Sequence, residues 1–163
     1  MKFSVEQKYD RAAAEVIACY CDADSYAHWP TGGHLSSPEV LSVVHSQQTV
    51  TVSLRYRFVA SLPSAALAII DPDKLTWVEE SIYDLNRLSS TTRLIPDHYA
   101  SKLSASITTT YRDTASGSIR ETRGEFRVKI LLFAGQVERA IVDGIRDHLR
   151  AEQAAISQIL AES

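Results

Sequence analysis

The chain has 163 residues, 45% of them hydrophobic and 23% charged, with a formal net charge of −3 at pH 7. That length suits one domain over residues 1–163 with a single sizeable core, and the composition excludes a disordered or fibrous chain. The slight acidic excess excludes the basic field that draws in nucleic acid or anionic lipid.

Met1–Gln7 is charged and alternating, without the apolar stretch of a signal peptide. No run approaches the roughly 18 apolar residues of a membrane helix. A cytoplasmic protein without integral membrane association is expected. Cys19 and Cys21 lie two apart in a predicted helix and point to different faces, so they are expected as two buried, reduced thiols.

Lys2–Tyr9 alternates, with Phe3, Val5 and Gln7 on one side, which predicts a strand. Asp10 is a candidate cap for a helix over Arg11–Cys21, whose apolar face holds Ala13, Val16, Ile17 and Tyr20. A second short helix runs from Asp22 or Asp24 to Trp29 and is ended by Pro30 and Gly32-Gly33. The period then becomes two. Val40–Gln47 and Thr49–Val59 are predicted strands, the second alternating through Val50, Val52, Leu54, Tyr56 and Phe58. Leu62–Ile70 is a short helix or ordered loop, and Asp71–Lys74 is a turn with Pro72 in its second position. Four strands follow, over Leu75–Asp84, Arg87–Ile95, Lys102–Arg112 and Ser118–Ile130. Gly124 in the last of them marks a bulge or a close backbone approach. Gly135 to about Ala161 is the longest helical pattern, about 26 residues and ~40 Å, with Val137, Ile141, Ile145, Ile156 and Ile159 on one stripe.

This order predicts an α+β fold. A curved antiparallel sheet of about six to seven strands grips the long C-terminal helix, and two short N-terminal helices close one end. It resembles the START-like superfamily, also called SRPBCC or helix-grip proteins. The residues that carry the resemblance are Met1-Lys2-Phe3-Ser4-Val5, Asp24 to Trp29-Pro30, Arg55-Tyr56-Arg57-Phe58, Leu62-Pro63 and the stretch from Ile70-Asp71-Pro72-Asp73-Lys74 to Glu79-Glu80. The last stretch is similar to an uncharacterised bacterial branch of unknown function. The resemblance implies a cavity between sheet and helix, and no particular ligand or reaction.

Within the last helix, His148 and Glu152 fall inside the apolar stripe, four residues apart, with Gly144 one turn before them. An imidazole, a carboxylate and a glycine on a buried face suit a polar floor for a ligand; a structural His–Glu pair is the alternative. Glu79 and Glu80 point to opposite faces of their strand, and Glu79, in phase with Trp77, is read as the inward one. With His148 it forms the candidate acid/base pair. Small and hydroxyl residues among apolar ones, Thr92 and Thr109 with Ile107 and Phe126, suit a pocket for an amphipathic molecule. Trp29, Tyr56, Phe58, Trp77 and, from the helix, Ile141, Gly144, His148 and Glu152 complete the expected ligand-binding set. Arg55, Arg57, Arg120, Arg123, Arg127 and Lys129 are read as an outward face broken up by Glu121 and Glu125. His28 and His34 flank the expected mouth loop.

Hydrolase, nucleotide-binding and zinc-peptidase motifs are absent. Asp22-Ala23-Asp24 begins like a calcium loop but has Ala27 where glycine is needed. No metal and no cofactor are therefore expected. Three functions compete: binding of a small hydrophobic or amphipathic ligand (lipid, isoprenoid or polyketide-like), a cyclase-, dehydratase- or hydrolase-like enzyme using Glu79 and His148, and an interaction module resembling Hsp90-activator domains.

Overall fold

The computed structural model describes residues 1–29, 34–59, 61, 67, 70–129 and 134–162. The chain order is β1 (Lys2–Tyr9), α1 (Ala13–Tyr20), a 3-10 turn (Asp24–His28), β2 (Glu39–Ser46), β3 (Thr49–Arg57), a second 3-10 turn (Pro72–Lys74), β4 (Thr76–Asp84), β5 (Ser89–Pro96), β6 (Leu103–Thr114), β7 (Gly117–Val128) and α2 (Ala134–Glu162). The predicted α+β helix-grip architecture is the one observed. The segment that ends the second turn (Pro30, Gly32, Gly33), most of Leu62–Ile70 and the end of the last strand at Ile130 lie outside the described residues.

Seven strands form one antiparallel sheet in the order β1-β7-β6-β5-β4-β3-β2. The hairpins β2–β3, β4–β5 and β6–β7 pair neighbours in sequence, while β1 returns to close on β7 in continuous register from Lys2 opposite Glu125 to Tyr9 opposite Ser118. Alternate residues are buried most clearly along β1, β3 and β7, so one face is covered and the other solvated, while the edge strand β2 buries none. On the covered face of β3 stand Val50, Val52, Leu54 and Tyr56, all buried. The cover is α2, which buries Val137, Val142, Leu149, Glu152, Ile156 and Leu160 and exposes Arg139, Asp143, Asp147 and Arg150. Such burial stabilises by roughly 1.5–3 kcal/mol per large apolar side chain, and it is what holds a 29-residue helix against the sheet.

Three local expectations change. The second helix is a 3-10 turn, too short for an α-helical ladder. Asp10 does not cap α1. The Ala12 N–H donates to Glu15 Oε2 at 3.0 Å and the Ala13 N–H to Asp113 Oδ1 at 2.7 Å, so Asp113 near the end of β6 caps the helix across 100 residues of chain. Cys21 is buried but Cys19 is half-buried, because only one of two residues two apart can face the core; both are free.

Candidate functional site

A cavity lies between the covered sheet face and α2. Its walls are Phe3, Phe58, Ile107 and Phe126 from the strands and their margins and Val137, Ile141 and Ile145 from α2. The volume open to the centres of water-sized molecules is about 160 Å³, comparable to cavities of about 150 Å³ that admit benzene. Two glycines make room for side chains that line it. At Gly144 an added Cβ would stand 3.2 Å from His34 Cβ, so a side chain there would press on the His34 ring, which itself lines the cavity. At Gly124 a Cβ would fall 2.5 Å from the Phe3 ring. Gly124 pairs in register with both Phe3 and Ile107, so the expected close approach is present and the bulge is not.

Polar groups collect along and below this space. Ser81 Oγ and Thr92 Oγ1 lie 2.7 Å apart across β4–β5, and Thr109 Oγ1 and Thr122 Oγ1 3.1 Å apart across β6–β7. At the floor, Arg120 Nη1 and Glu152 Oε1 form an ion pair at 2.9 Å, both side chains under 9% exposed. Arg120 also donates to Gln7 Oε1 and, through Nε, to the Tyr111 hydroxyl at 3.2 Å, and its guanidinium stands 4.2 Å from the Tyr20 ring centroid. Tyr20 donates its hydroxyl proton to Glu152, and its oxygen lies 3.0 Å from that of Tyr9. A buried ion pair needs this many partners to offset the loss of water. Burial works against the Arg120 charge, but Tyr20 and Glu152 outweigh it and keep the guanidinium protonated.

The outward reading of Arg120 is thus corrected. On β7 it shares parity with Thr122, Phe126 and Val128, all buried, whereas Arg123 and Arg127 stand outside on Glu121 and Glu125. The alternation along β7 decides the direction of the side chain, and the charge is accommodated by its partners.

His148 Nε2 lies 3.8 Å from Glu152 Oε2. Burial lowers the His148 pKa, Glu152 opposes this and Arg120 adds to it, so the imidazole is neutral at pH 7. Glu79 faces inward and lines the cavity, while Glu80 faces out and pairs with Arg93 at 2.8 Å. The cross-strand neighbours of Glu79 are Leu54 and Leu94, which have nothing to donate. Burial pushes the Glu79 carboxyl up to about 7, with Glu152 adding and Arg120 opposing.

Of the expected site residues, Phe58, Trp77, Glu79, Thr92, Ile107, Thr109, Phe126, Ile141, Gly144, His148 and Glu152 all line this cavity. Trp29 and Tyr56 stand behind it: Trp29 packs on Tyr20 and Tyr26, and Tyr56 on Trp77 and the edge of His148. The carboxylate next to His148 is Glu152 rather than Glu79. Tyr99, in the left-handed region with φ 59°, lines the mouth and was not singled out by any sequence signal. Among the described residues no group of three or more His, Cys, Asp or Glu side chains is placed to hold a metal ion, and no helix is long and apolar enough to cross a membrane.

No curated protein matches the chain. Solved structures do share its fold. The Thermus thermophilus protein TTHA0849 superposes with a TM-score of 0.69 at 14% identity, covering 100% of this chain and 99% of that one. Norcoclaurine synthase from Thalictrum flavum gives 0.65 at 19% identity, covering 100% and 87%. The Zhui aromatase/cyclase from Streptomyces sp. R1128 gives 0.59 at 14% identity, covering 97% and 90%. The similarity in sequence that accompanies this fold runs over residues 4–160, and by it the chain belongs to the DUF2505 family of proteins of unknown function.

Proposed function

We propose that this protein binds a small, largely apolar molecule with a polar end in the cavity between the sheet and α2. The observation that carries the reading is the division of one cavity into apolar walls around Phe3, Phe126 and Ile141 and a polar floor at Glu79, His148 and the Arg120–Glu152 pair. A fold that only packed its helix would fill that space to crystal-like density. Trp77 Nε1 and His34 Nδ1, both on lining residues, have no hydrogen-bond partner among the described residues. The size of the cavity favours an occupant built around one ring over a full-length lipid chain unless the walls move. In this reading the chain acts as one domain in the cytoplasm, a bacterial member of the START-like superfamily.

Native mass spectrometry of the purified protein tests this, with thermal melts against a panel of single-ring and isoprenoid compounds. An adduct of small mass, or a rise in Tm with a panel member, is the expected result. An adduct-free mass together with unchanged melts would remove the binding reading. One observation favours a second reading, catalysis: a carboxyl that titrates near neutrality inside a pocket suits proton transfer. Turnover of a bound compound that Glu79→Gln abolishes would support it.

A further inference from the structure

We propose that the carboxylate of Glu79 makes the cavity selective for small apolar molecules carrying a protonated amine. The inference rests on the reading that the cavity holds a ligand at all, and goes beyond it in naming the ligand's charge.

The argument is one of charge and partners. Arg120 is engaged by Glu152 at 2.9 Å, by Gln7 and by the Tyr111 hydroxyl, so its charge and donors are taken up within the protein. His148, with its pKa lowered by burial, contributes no charge at neutral pH. Glu79 accepts no hydrogen bond from any described residue, and its two cross-strand neighbours are leucines. When Glu79 is ionised, the interior around it therefore carries one unmatched negative charge, in surroundings where Coulombic attraction is strong. A carboxylate that structure alone required would be expected to have a partner, as Glu152 does.

The groups that face Glu79 or share its cavity come from every side. From α2 come His148 and Glu152, from β7 Arg120, from β3 Tyr56, from β4 Tyr83 and from the first 3-10 turn Tyr26, the three phenols being raised in pKa by burial and in part by Glu79, and from β6 uncharged residues including Ile107 and Thr109. His34, Lys74, His98 and Lys102 lie at the mouth, where Lys74 is 3.5 Å from Asp71 and the Lys102 ammonium stands 5.5 Å from the Tyr99 ring centroid. An anionic group taken to the depth of Glu79 would meet two carboxylates and an arginine already in use. A neutral group would leave the Glu79 proton where it is. A primary ammonium supplies three donors and the missing positive charge.

The test uses three probes of one shape, a phenyl ring with a two-carbon tail: phenethylamine, 2-phenylethanol and 3-phenylpropionate. Isothermal titration at pH 8 is expected to show the amine binding at least about tenfold more tightly than the other two, as a buried charged partner requires. In Glu79→Gln that advantage disappears, and amine and alcohol fall within about threefold of each other. Lowering the pH from 8 to 6 weakens amine binding about tenfold, because Glu79 takes up a proton that the amine must displace, while alcohol binding stays level. An alcohol or propionate that binds as tightly as the amine overturns the proposal and leaves the cavity reading standing. If none of the three binds or raises Tm, and native mass spectrometry also shows no adduct, both are overturned.

Discussion

The interior between sheet and helix has two ends that solve the same packing problem differently. One is built on Tyr9, Tyr20, Tyr111, Ile156 and Leu160, and large rings fill it. Its charged groups and the hydroxyls of Tyr9, Tyr20 and Tyr111 are paired: Tyr9 with Tyr20, Tyr20 with Glu152, and Arg120 with Gln7, Tyr111 and Glu152. The other is built on Phe3, Phe126, Val128, Val137 and Val142 and stays hollow. There Gly144 and Ala105 are among the facing positions, and the carboxyl of Glu79 has no partner among the described residues. The backbone elements are the same at both ends. Side-chain volume and the pairing of polar groups make one end filled and the other hollow.

Breaking the filled end has the largest expected effect. Glu152→Ala leaves the Arg120 guanidinium buried beside Tyr20 with its counter-charge gone. The expected loss is about 3–5 kcal/mol, read as a shift in urea midpoint. The double variant Arg120→Met with Glu152→Leu should recover most of that loss, because it removes both charges together. If Glu152→Ala costs less than about 1 kcal/mol, the filled end does not depend on the pair.

At the hollow end the corresponding carboxyl should act in the opposite sense. Glu79 has a folded pKa of about 7 against an ordinary 4.5. The folded state therefore holds a proton that the unfolded chain has already released, and Glu79 costs stability increasingly as pH rises from 4.5 through 7. Glu79→Gln should accordingly be more stable than wild type by about 3 kcal/mol at pH 8, and by little at about pH 4.5. Denaturant curves for both proteins across that range give the difference directly. A flat difference would show that Glu79 is solvated as the outer glutamates are.

Filling the hollow is a smaller change. Ala105 lines the cavity opposite Phe126 in register. Ala105→Leu should add roughly 1 kcal/mol of stability by burying methylenes in free space, and should weaken binding of 2-phenylethanol at least about tenfold. Unchanged binding would place the ligand elsewhere.

The fold was legible where periodicity is strong. The alternation of β3 and the stripe of α2 each state which face is buried, and together they place the helix on the sheet. Glu79 was legible through its phase with Trp77, and His148 and Glu152 through their place on the stripe. Arg120 was not, because the general rule that arginines face solvent competed with its phase on β7, and only a buried partner resolves such a conflict. That partner, Glu152, lies on another element, and no local pattern links the two. The displacement of Trp29 and Tyr56 from the cavity wall was likewise beyond reach, since which of several buried aromatics borders a void depends on the packing of all of them.

The smallest expected effect concerns the border between the two ends, where His148 stands with Glu152 on one side and the cavity on the other. Its folded pKa lies below the ordinary 6.5, chiefly because the ring is buried. Above 6.5 both folded and unfolded chains hold it neutral, and it contributes no pH dependence. As pH falls below 6.5 the unfolded chain binds the proton more readily, so stability is lost in acid. This slope is opposite in sign to that of Glu79 over the same range, so in the wild type the two work against one another. His148→Phe keeps a ring against Tyr56, whose centroid is 5.5 Å away, and removes the acid-side loss. Its stability should then fall steadily with rising pH between about 5 and 7.5, while that of Glu79→Gln should rise between about 5 and 6.5. The two profiles should cross in sign. If His148→Phe and wild type run parallel, the imidazole is reached by water and belongs to the open end; if they diverge below about pH 6.5, it belongs to the dry border that separates the cavity from the filled end.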